Sequence, residues 1–274
     1  MISVNTNQGA MIALQTLNKT NAELDKTQNA VATGLKVASA KDNGALWAIG
    51  NKMRSDIGAY DRVRESTDRA SAILDTGIAA GESIMELLNE MKGKALAGTQ
   101  IGNSTGAQSA LAADFVQLRN QITSIVANAS FDGANMIAAT PSDAVAFGDT
   151  AGGNTITIAG ASLALGGTII SVAGTNALTD TTTSTAALTA TNNSITALGT
   201  QLATWGAGAK RLDIHKAFIT KLQDALTEGV GSIVDADLAK ESAKLTALQT
   251  KQQLGVQALS IANSATKTVM SLFR

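Results

Sequence analysis

Two stretches at opposite ends of this chain carry matching heptad stripes of apolar residues, and the stretch between them does not. Near the start, steps of three and four residues give Leu14, Leu17, Asn21, Leu24, Gln28, Val31 and Leu35. Near the end they give Leu238, Glu241, Leu245, Leu248, Gln252, Gly255, Leu259, Ala262, Thr266 and Val269. A repeat of about 3.5 residues marks a helix face built to lie against another helix. Polar positions at Asn21, Gln28, Glu241 and Gln252 weaken each seam taken alone, and isolated helices of this kind are marginal in water. The pattern predicts two incomplete helical ends, in a chain that finishes folding when it assembles with its own copies.

Composition narrows the fold. The 274 residues are enough to bury a core in one elongated domain or two smaller ones. Hydrophobic residues make up 45% but aromatics only 3%, which suits slender, closely packed helices better than an aromatic ligand pocket. Pro141 is the single proline, so long uninterrupted helices are allowed elsewhere. A formal net charge of -1 argues against nucleic acid as a partner. The absence of cysteine excludes disulfides, thiol nucleophiles and thiolate metal sites, and suits a chain exported unfolded. Met1 to Asn5 lacks the basic start and apolar core of a secretory signal. No apolar run reaches the about 18 residues of a membrane span. By themselves these features predict a cytosolic protein, unless export follows a route that needs no cleaved signal.

Along the chain, residues 5–34 read as one helix and 46–96 as a second, with a seam of Ala70, Leu74, Gly77, Gly81, Ile84, Leu88, Met91 and Ala95. The seam glycines mark either local weakness or close helix approach. A turn over 98–106 leads to a third helix, 107–128, with Leu111, Phe115, Leu118, Ile122 and Ile125 on one face. Between Arg119 and Lys210 there is no Lys or Arg. The alternation in Thr155-Ile156-Thr157-Ile158 and Thr168-Ile169-Ile170-Ser171-Val172 predicts short strands in one or two hairpins. Thr175 to Thr185 reads as a loop. A fourth helix from Ser184 or Thr185 carries Leu188, Ile195, Leu198, Leu202, Trp205, Ala209, Leu212, Ile219, Leu226 and Val230, and Gly229 and Gly231 predict its end. Asp235 or Asp237 then caps a last helix running to about Leu272. The fold expected is mainly α: an elongated coiled-coil hairpin rod, terminal helices paired at one end, a small β-hairpin insert at the other.

Catalytic chemistry finds no residues. His215 is the single histidine and cannot build a multi-histidine zinc site. No nucleophile elbow and no phosphate-binding loop occur. Trp205 lies on the helix stripe and reads as core. The expectation is no enzyme, no cofactor and no metal.

The residues then match a known pattern. Asn5-Thr6-Asn7, Ala13-Leu14 and Leu17-Asn18-Lys19-Thr20 resemble the start of bacterial flagellins. So do Gly34 through Asn43 and Ala48 through Ser55. Val234 through Glu241, Gln252 through Gly255, Ala262-Asn263 and Val269 through Arg274 resemble the flagellin C-terminal signature. The likeness covers residues 1–135 and 186–274. It implies that 1–40 and 235–274 form inner-tube helices, that 41–135 and 186–234 form the helical outer-tube rod, and that 136–185 is a small β-rich variable surface insert.

The resemblance implies a structural subunit of the extracellular flagellar filament, a propeller for swimming. The chain would be exported unfolded by the flagellar type III system and would polymerise with other flagellin subunits. Implied partners are the filament cap, hook-associated proteins and an export chaperone at the C-terminal helix. Inner-tube packing would fall to Leu14, Leu17, Leu24, Val31, Leu35, Leu238, Leu245, Leu248, Leu259 and Val269. Outer-tube packing would fall to Leu74, Ile84, Leu88, Leu118, Ile122, Leu198, Leu202, Leu212, Ile219 and Leu226. Thr181, Thr182, Thr183 and Ser184 are candidate O-glycosylation sites. Family analogy also places the turn at Phe131–Asn135 in filament supercoiling, and many flagellins carry arginine where this chain has Glu90, in the stretch read by an animal Toll-like receptor. Alternative readings are a hook–filament junction protein and a soluble helical signalling or binding rod.

Overall fold

The computed structural model describes residues 6–271, with side chains described as far as residue 264. Thr266 and Val269 of the C-terminal stripe lie outside the described side chains. Helix α1 spans Gln8–Thr33, α2 Gly44–Gly98, α3 Thr105–Asn128, α4 Thr181–Val234 and α5 Leu238–Ser271. Strands β1 (Ala144–Phe147) and β2 (Thr155–Ile158) form one antiparallel pair, with Ala144 opposite Ile158 and Phe147 opposite Thr155. The chain divides into two compact units, Met1–Ile57 with Asp224–Arg274, and Gly58–Gln223. Helices α2 and α4 contribute residues to both.

Side-chain caps set the helix boundaries. Asn7 Oδ1 accepts the Ala10 amide at 3.0 Å at the start of α1. Gly34 ends that helix with φ of 71°, a left-handed value that glycine tolerates. Ser104 caps α3, and Asp237, rather than Asp235, caps α5 by accepting from the Lys240 amide at 3.1 Å.

Helix α4 departs from expectation at both ends. It begins at Thr181 because Asp180 Oδ1 accepts the Thr183 amide at 2.8 Å, so the Thr-rich stretch from Thr181 is helix and not loop. It also runs through Gly229 and Gly231 to Val234. Neither glycine has the positive φ that a helix stop requires. Both serve close approach instead: a Cβ at Gly229 would fall 2.8 Å from Met53 Cε, and one at Gly231 would fall 2.9 Å from an Asp235 carboxylate oxygen.

In the Gly58–Gln223 unit, all eight expected seam positions of α2 are buried. Ala70, Leu74, Ile84, Leu88, Met91 and Ala95 among them join Phe115, Leu118 and Ile122 of α3 and Leu198, Trp205 and Leu212 of α4 in one apolar cluster. The seam glycines belong to close packing. A Cβ at Gly81 would lie 2.8 Å from Leu202 Cδ2, and one at Gly98 would lie 2.5 Å from Ser184 Oγ. Leu74, Ile84, Leu88, Leu118, Ile122, Leu198, Leu212 and Ile219 are buried, while Leu202 and Leu226 are half-buried.

The insert between α3 and α4 sends Met136, Ile137, Leu163, Ile170, Val172 and Leu178 into the same cluster. Trp205 Nε1–H donates to the Ala159 carbonyl at 3.0 Å, which satisfies the indole and fixes the insert to α4. Asp132 and Gly133 both have positive φ, and Phe131 and Ala134 exchange two backbone bonds of 2.9 Å around them.

Of the two stretches expected as strands, Thr155–Ile158 is one and Thr168–Val172 is not. Thr155–Ile158 pairs with Ala144–Phe147, whose alternation is hidden because Val145 and Phe147 on its outer face are apolar too. Thr168–Val172 is irregular: the Val172 carbonyl accepts from Gly166 at 2.8 Å, and the Ser171 amide donates to Ser194 Oγ of α4 at 2.9 Å. Its period of two buries Ile170 and Val172, but its backbone bonds go elsewhere. The outer edge of β1 is capped at Phe147, whose amide donates to Ser66 Oγ at 3.1 Å and whose carbonyl lies 3.3 Å from His215 Nε2.

Two expected outcomes follow from this packing. A Cβ at Gly160 would meet backbone, at 2.5 Å from the Ser142 carbonyl and 3.0 Å from that of Met136. Gly160→Ala is expected to destabilise by about 1–3 kcal/mol, whereas Gly93→Ala, in open space on α2, should stabilise by about 0.5–1 kcal/mol. Thermal unfolding followed by circular dichroism checks both signs. The second concerns the α4 cap. The Thr183 amide holds the Asp180 carboxyl below its ordinary value against the opposing effect of desolvation, with hydroxyl contacts adding to the lowering. Its contribution is therefore present above the unfolded-state value and is lost as pH falls through the lower folded-state value. Protection of the Thr183 amide, taken relative to its intrinsic exchange rate at each pH, should fall across that acid range in the native chain and should lose this dependence in Asp180→Asn.

Candidate functional site

The second feature legible from the start of the sequence, the pairing of the chain's two ends, is an antiparallel helix pair. Asn7 Nδ2 donates to the Ala262 carbonyl at 2.7 Å, and Gln252 Nε2 donates to Asn21 Oδ1 at 2.8 Å. A Cβ at Gly255 would lie 3.3 Å from Leu17 Cδ1. As residue numbers rise on α1 they fall on α5, which fixes the direction.

One end of the pair is locked by backbone. The Lys36 amide donates to the Val234 carbonyl at 2.7 Å, and the Ala236 amide donates to the Gly34 carbonyl at 2.8 Å. Val37, Val230 and Val234 are buried beside this lock, with Leu35, Leu46, Met53, Ile57 and Ile233 packed around them. The Asp42 carboxylate accepts the Ser39 amide at 3.0 Å and the Ser39 hydroxyl at 3.1 Å. Those bonds, the amide first, lower the Asp42 pKa.

The seam is thin. On α5 the less exposed positions are Glu241, Leu245, Leu248, Gln252, Gly255, Leu259 and Ala262, the stripe read from spacing. On α1 the seam holds Ala13, Leu17, Thr20, Asn21, Leu24, Thr27 and Val31. Leu24 and Leu248 are buried; Leu17, Val31, Leu35, Leu245 and Leu259 are half-buried. Of the four positions expected to weaken it, Gln28 is exposed and off the seam, and Glu241 pairs with Lys244 at 3.6 Å on its own helix. Asn21 and Gln252 satisfy each other, a pairing that spacing alone does not reveal. Thr27 Oγ1 is, among the described residues, the buried side-chain oxygen with no hydrogen-bond partner. Thr16, Thr20 and Thr33 on the same helix all donate to carbonyls four residues back. Such an orphan costs about 1–3 kcal/mol.

Both helices carry a second, uncovered set of apolar side chains. Met11, Ile12 and Leu14 on α1 and Leu238, Leu254, Val256 and Ile261 on α5 are each 47% to 70% exposed. Leu14 and Leu238, expected as packing residues, belong to this outward set. Among the described residues no cluster of three or more His, Asp or Glu side chains is placed to hold a metal ion. No described helix is long and apolar enough to cross a membrane.

The four expected sugar acceptors separate by position. Thr181 and Thr182 are exposed. Thr183 Oγ1 is engaged in the α4 cap, 3.0 Å from the Asp180 amide that donates to it. Ser184 is fully buried, and its hydroxyl donates to the Asp180 carbonyl at 2.7 Å, so it has no room for a sugar.

The terminal helix pair thus carries apolar faces that its own partner helix leaves uncovered. Residues 4–141 match the family model of the bacterial flagellin N-terminal helical region, and residues 188–273 match that of the C-terminal helical region. Flagellin FljM of Caulobacter vibrioides is 46% identical over 275 residues, covering 99% of this chain and 98% of that one. A flagellin of Brucella melitensis is 35% identical over 283 residues and covers the whole of both chains. The crystal structure of Bacillus cereus flagellin superposes with a TM-score of 0.51 at 25% identity, covering 56% of this chain and 88% of that one.

The chain belongs to the bacterial flagellin family. It is a structural subunit of the extracellular flagellar filament and polymerises with other flagellin subunits.

Proposed function

We propose that the two apolar faces of the terminal helix pair divide the work of assembly. The inner seam joins α1 to α5 within a subunit, and the outward set packs against neighbouring subunits. On this reading residues 1–40 and 235–274 line the inner tube, residues 41–135 and 186–234 form the outer tube, and residues 136–185 form the variable outer surface. The observation that carries the reading is the row of exposed Met, Ile, Leu and Val side chains on helices that already have one partner. Each such side chain contributes about 1.5–3 kcal/mol when a neighbour removes it from water. Contacts that repeat head to tail without closing give an open helical polymer.

The chain works as a building block and not as an enzyme. Its further partners are the filament cap, hook-associated proteins and an export chaperone that covers the C-terminal helix before assembly. Thr181 and Thr182 remain the candidate sugar acceptors of the insert's margin. The turn at Phe131–Asn135, which the exposed ion pair of Arg69 with Asp132 reaches at 2.7 Å, and the hairpin that follows it take part in supercoiling.

Seeded polymerisation of purified subunit, viewed by negative-stain electron microscopy, tests the proposal. Leu17→Asp and Leu248→Asp place a charge in the inner seam and are expected to abolish elongation while the Gly58–Gln223 unit keeps its helical signal. Normal filaments from either variant would refute the seam's role. A second outcome concerns Glu90, which is exposed on α2 where many flagellins present arginine. An acid at a contact built for a base repels. A Toll-like receptor reporter assay should give little or no response, and Glu90→Arg should raise it; a full response from the unsubstituted chain sinks this expectation.

A further inference from the structure

We propose that the Asn21–Gln252 pair decides which apolar faces of α1 and α5 meet, and so keeps the intrachain seam distinct from the faces reserved for neighbouring subunits. Each terminal helix carries two sets of apolar side chains. One set holds Leu17, Leu24, Leu245 and Leu248; the other holds Met11, Ile12, Leu254 and Val256. Hydrophobic contact is non-directional and does not tell the two apart. The backbone lock at Gly34 and Val234 ties one end of the pair, and at the far end Asn7 Nδ2 donates to the Ala262 carbonyl, a backbone group of the kind every turn presents.

Asn21 and Gln252 supply the missing direction. They lie on the inner set, and the Gln252 amide donates to Asn21 Oδ1 at 2.8 Å in a half-buried position. That bond exists only when these two faces meet. Meeting of one inner face with one outward face buries an amide without its partner and is penalised. A single polar pair in a helical seam is a known means of selecting one pairing at the expense of stability. The neighbouring seam is permissive, since Gly255 adds no side chain opposite Leu17. A merely stabilising bond would make the pair stronger and nothing more; a selecting bond makes it weaker and unique.

The experiment rests on the filament reading for its assembled state. The chain has no cysteine, so an introduced pair reports without background. A Cβ at Gly255 would lie 3.9 Å from Leu17 Cβ, inside the about 3.5–4.5 Å that a disulfide spans. Full-length Leu17→Cys/Gly255→Cys chain is grown on seeds, oxidised, and read for the intrachain crosslink by peptide mass mapping. The same reporter is placed in Asn21→Leu/Gln252→Leu and in the exchanged pair Asn21→Gln/Gln252→Asn.

The apolar double variant is expected to lose the crosslink several-fold in filaments, or to remain as soluble oligomers, while its ends gain protease protection in the subunit. The exchanged pair is expected to restore both the crosslink and elongation. Filaments of the apolar variant that grow at the native rate with the native crosslinked fraction would overturn the proposal. So would an exchanged pair as defective as the apolar one. Failure of the unsubstituted chain to grow on seeds would instead count against the filament reading.

Discussion

Seam packing between long helices is the interaction on which this molecule depends, and its two units use it to different degrees. In the Gly58–Gln223 unit the seam is closed. Leu74, Ile84, Leu88 and Met91 of α2 meet Phe115 and Ile122 of α3 and Trp205 and Leu212 of α4, all with essentially no exposed surface. Glycines at positions 77, 81 and 98 let side chains from other elements approach α2 closely, which offsets their poor helix propensity. In the terminal unit the seam is thin, with Leu24 and Leu248 as its buried leucines, an unpaired threonine hydroxyl and a glycine opposite Leu17. A marginal pair of this kind is what a chain needs if it must unfold for export and take up its final packing beside its neighbours.

The small insert is held by polar detail more than by sheet. Two strands of four residues do not stand alone in water. Here the Trp205 indole holds the Ala159 carbonyl, Ser66 and His215 cap the edge at Phe147, and Ser194 receives the Ser171 amide. Arg119 reaches across to the Asn176 carbonyl at 2.7 Å. The insert is thus built onto the helices, and its inward side chains complete their core. His215, too solitary in the sequence for a zinc site, acquires its role through this edge.

Much of the helical plan was legible in the sequence because heptad spacing, caps and glycines report local physics. The α2 seam, the α3 face and the α5 stripe from Glu241 to Ala262 fall where spacing places them, while Leu238 turns outward. Failures cluster where partners are distant in the chain. Gly229 and Gly231 have the composition of a helix stop, yet Met53 and Asp235 crowd them and the helix continues to Val234. Ala144–Phe147 has apolar side chains on both faces, so its alternation was invisible. Thr168–Val172 alternates properly but lacks a strand beside it. The Asn21–Gln252 bond joins residues 231 apart, and to spacing each looked like a defect.

The sequence by itself determined a helical, cysteine-free, nearly neutral chain with paired terminal stripes, because periodicity, charge and residue chemistry are local properties. Its likeness to flagellins at both ends came from the same local record. Only the tertiary structure decided which strand pairs with Thr155–Ile158, which glycines accommodate neighbours, and which apolar residues of the terminal helices face each other. Those outcomes rest on contacts between positions far apart in the chain, where hydrogen-bond geometry and available volume select among pairings that periodicity leaves equivalent.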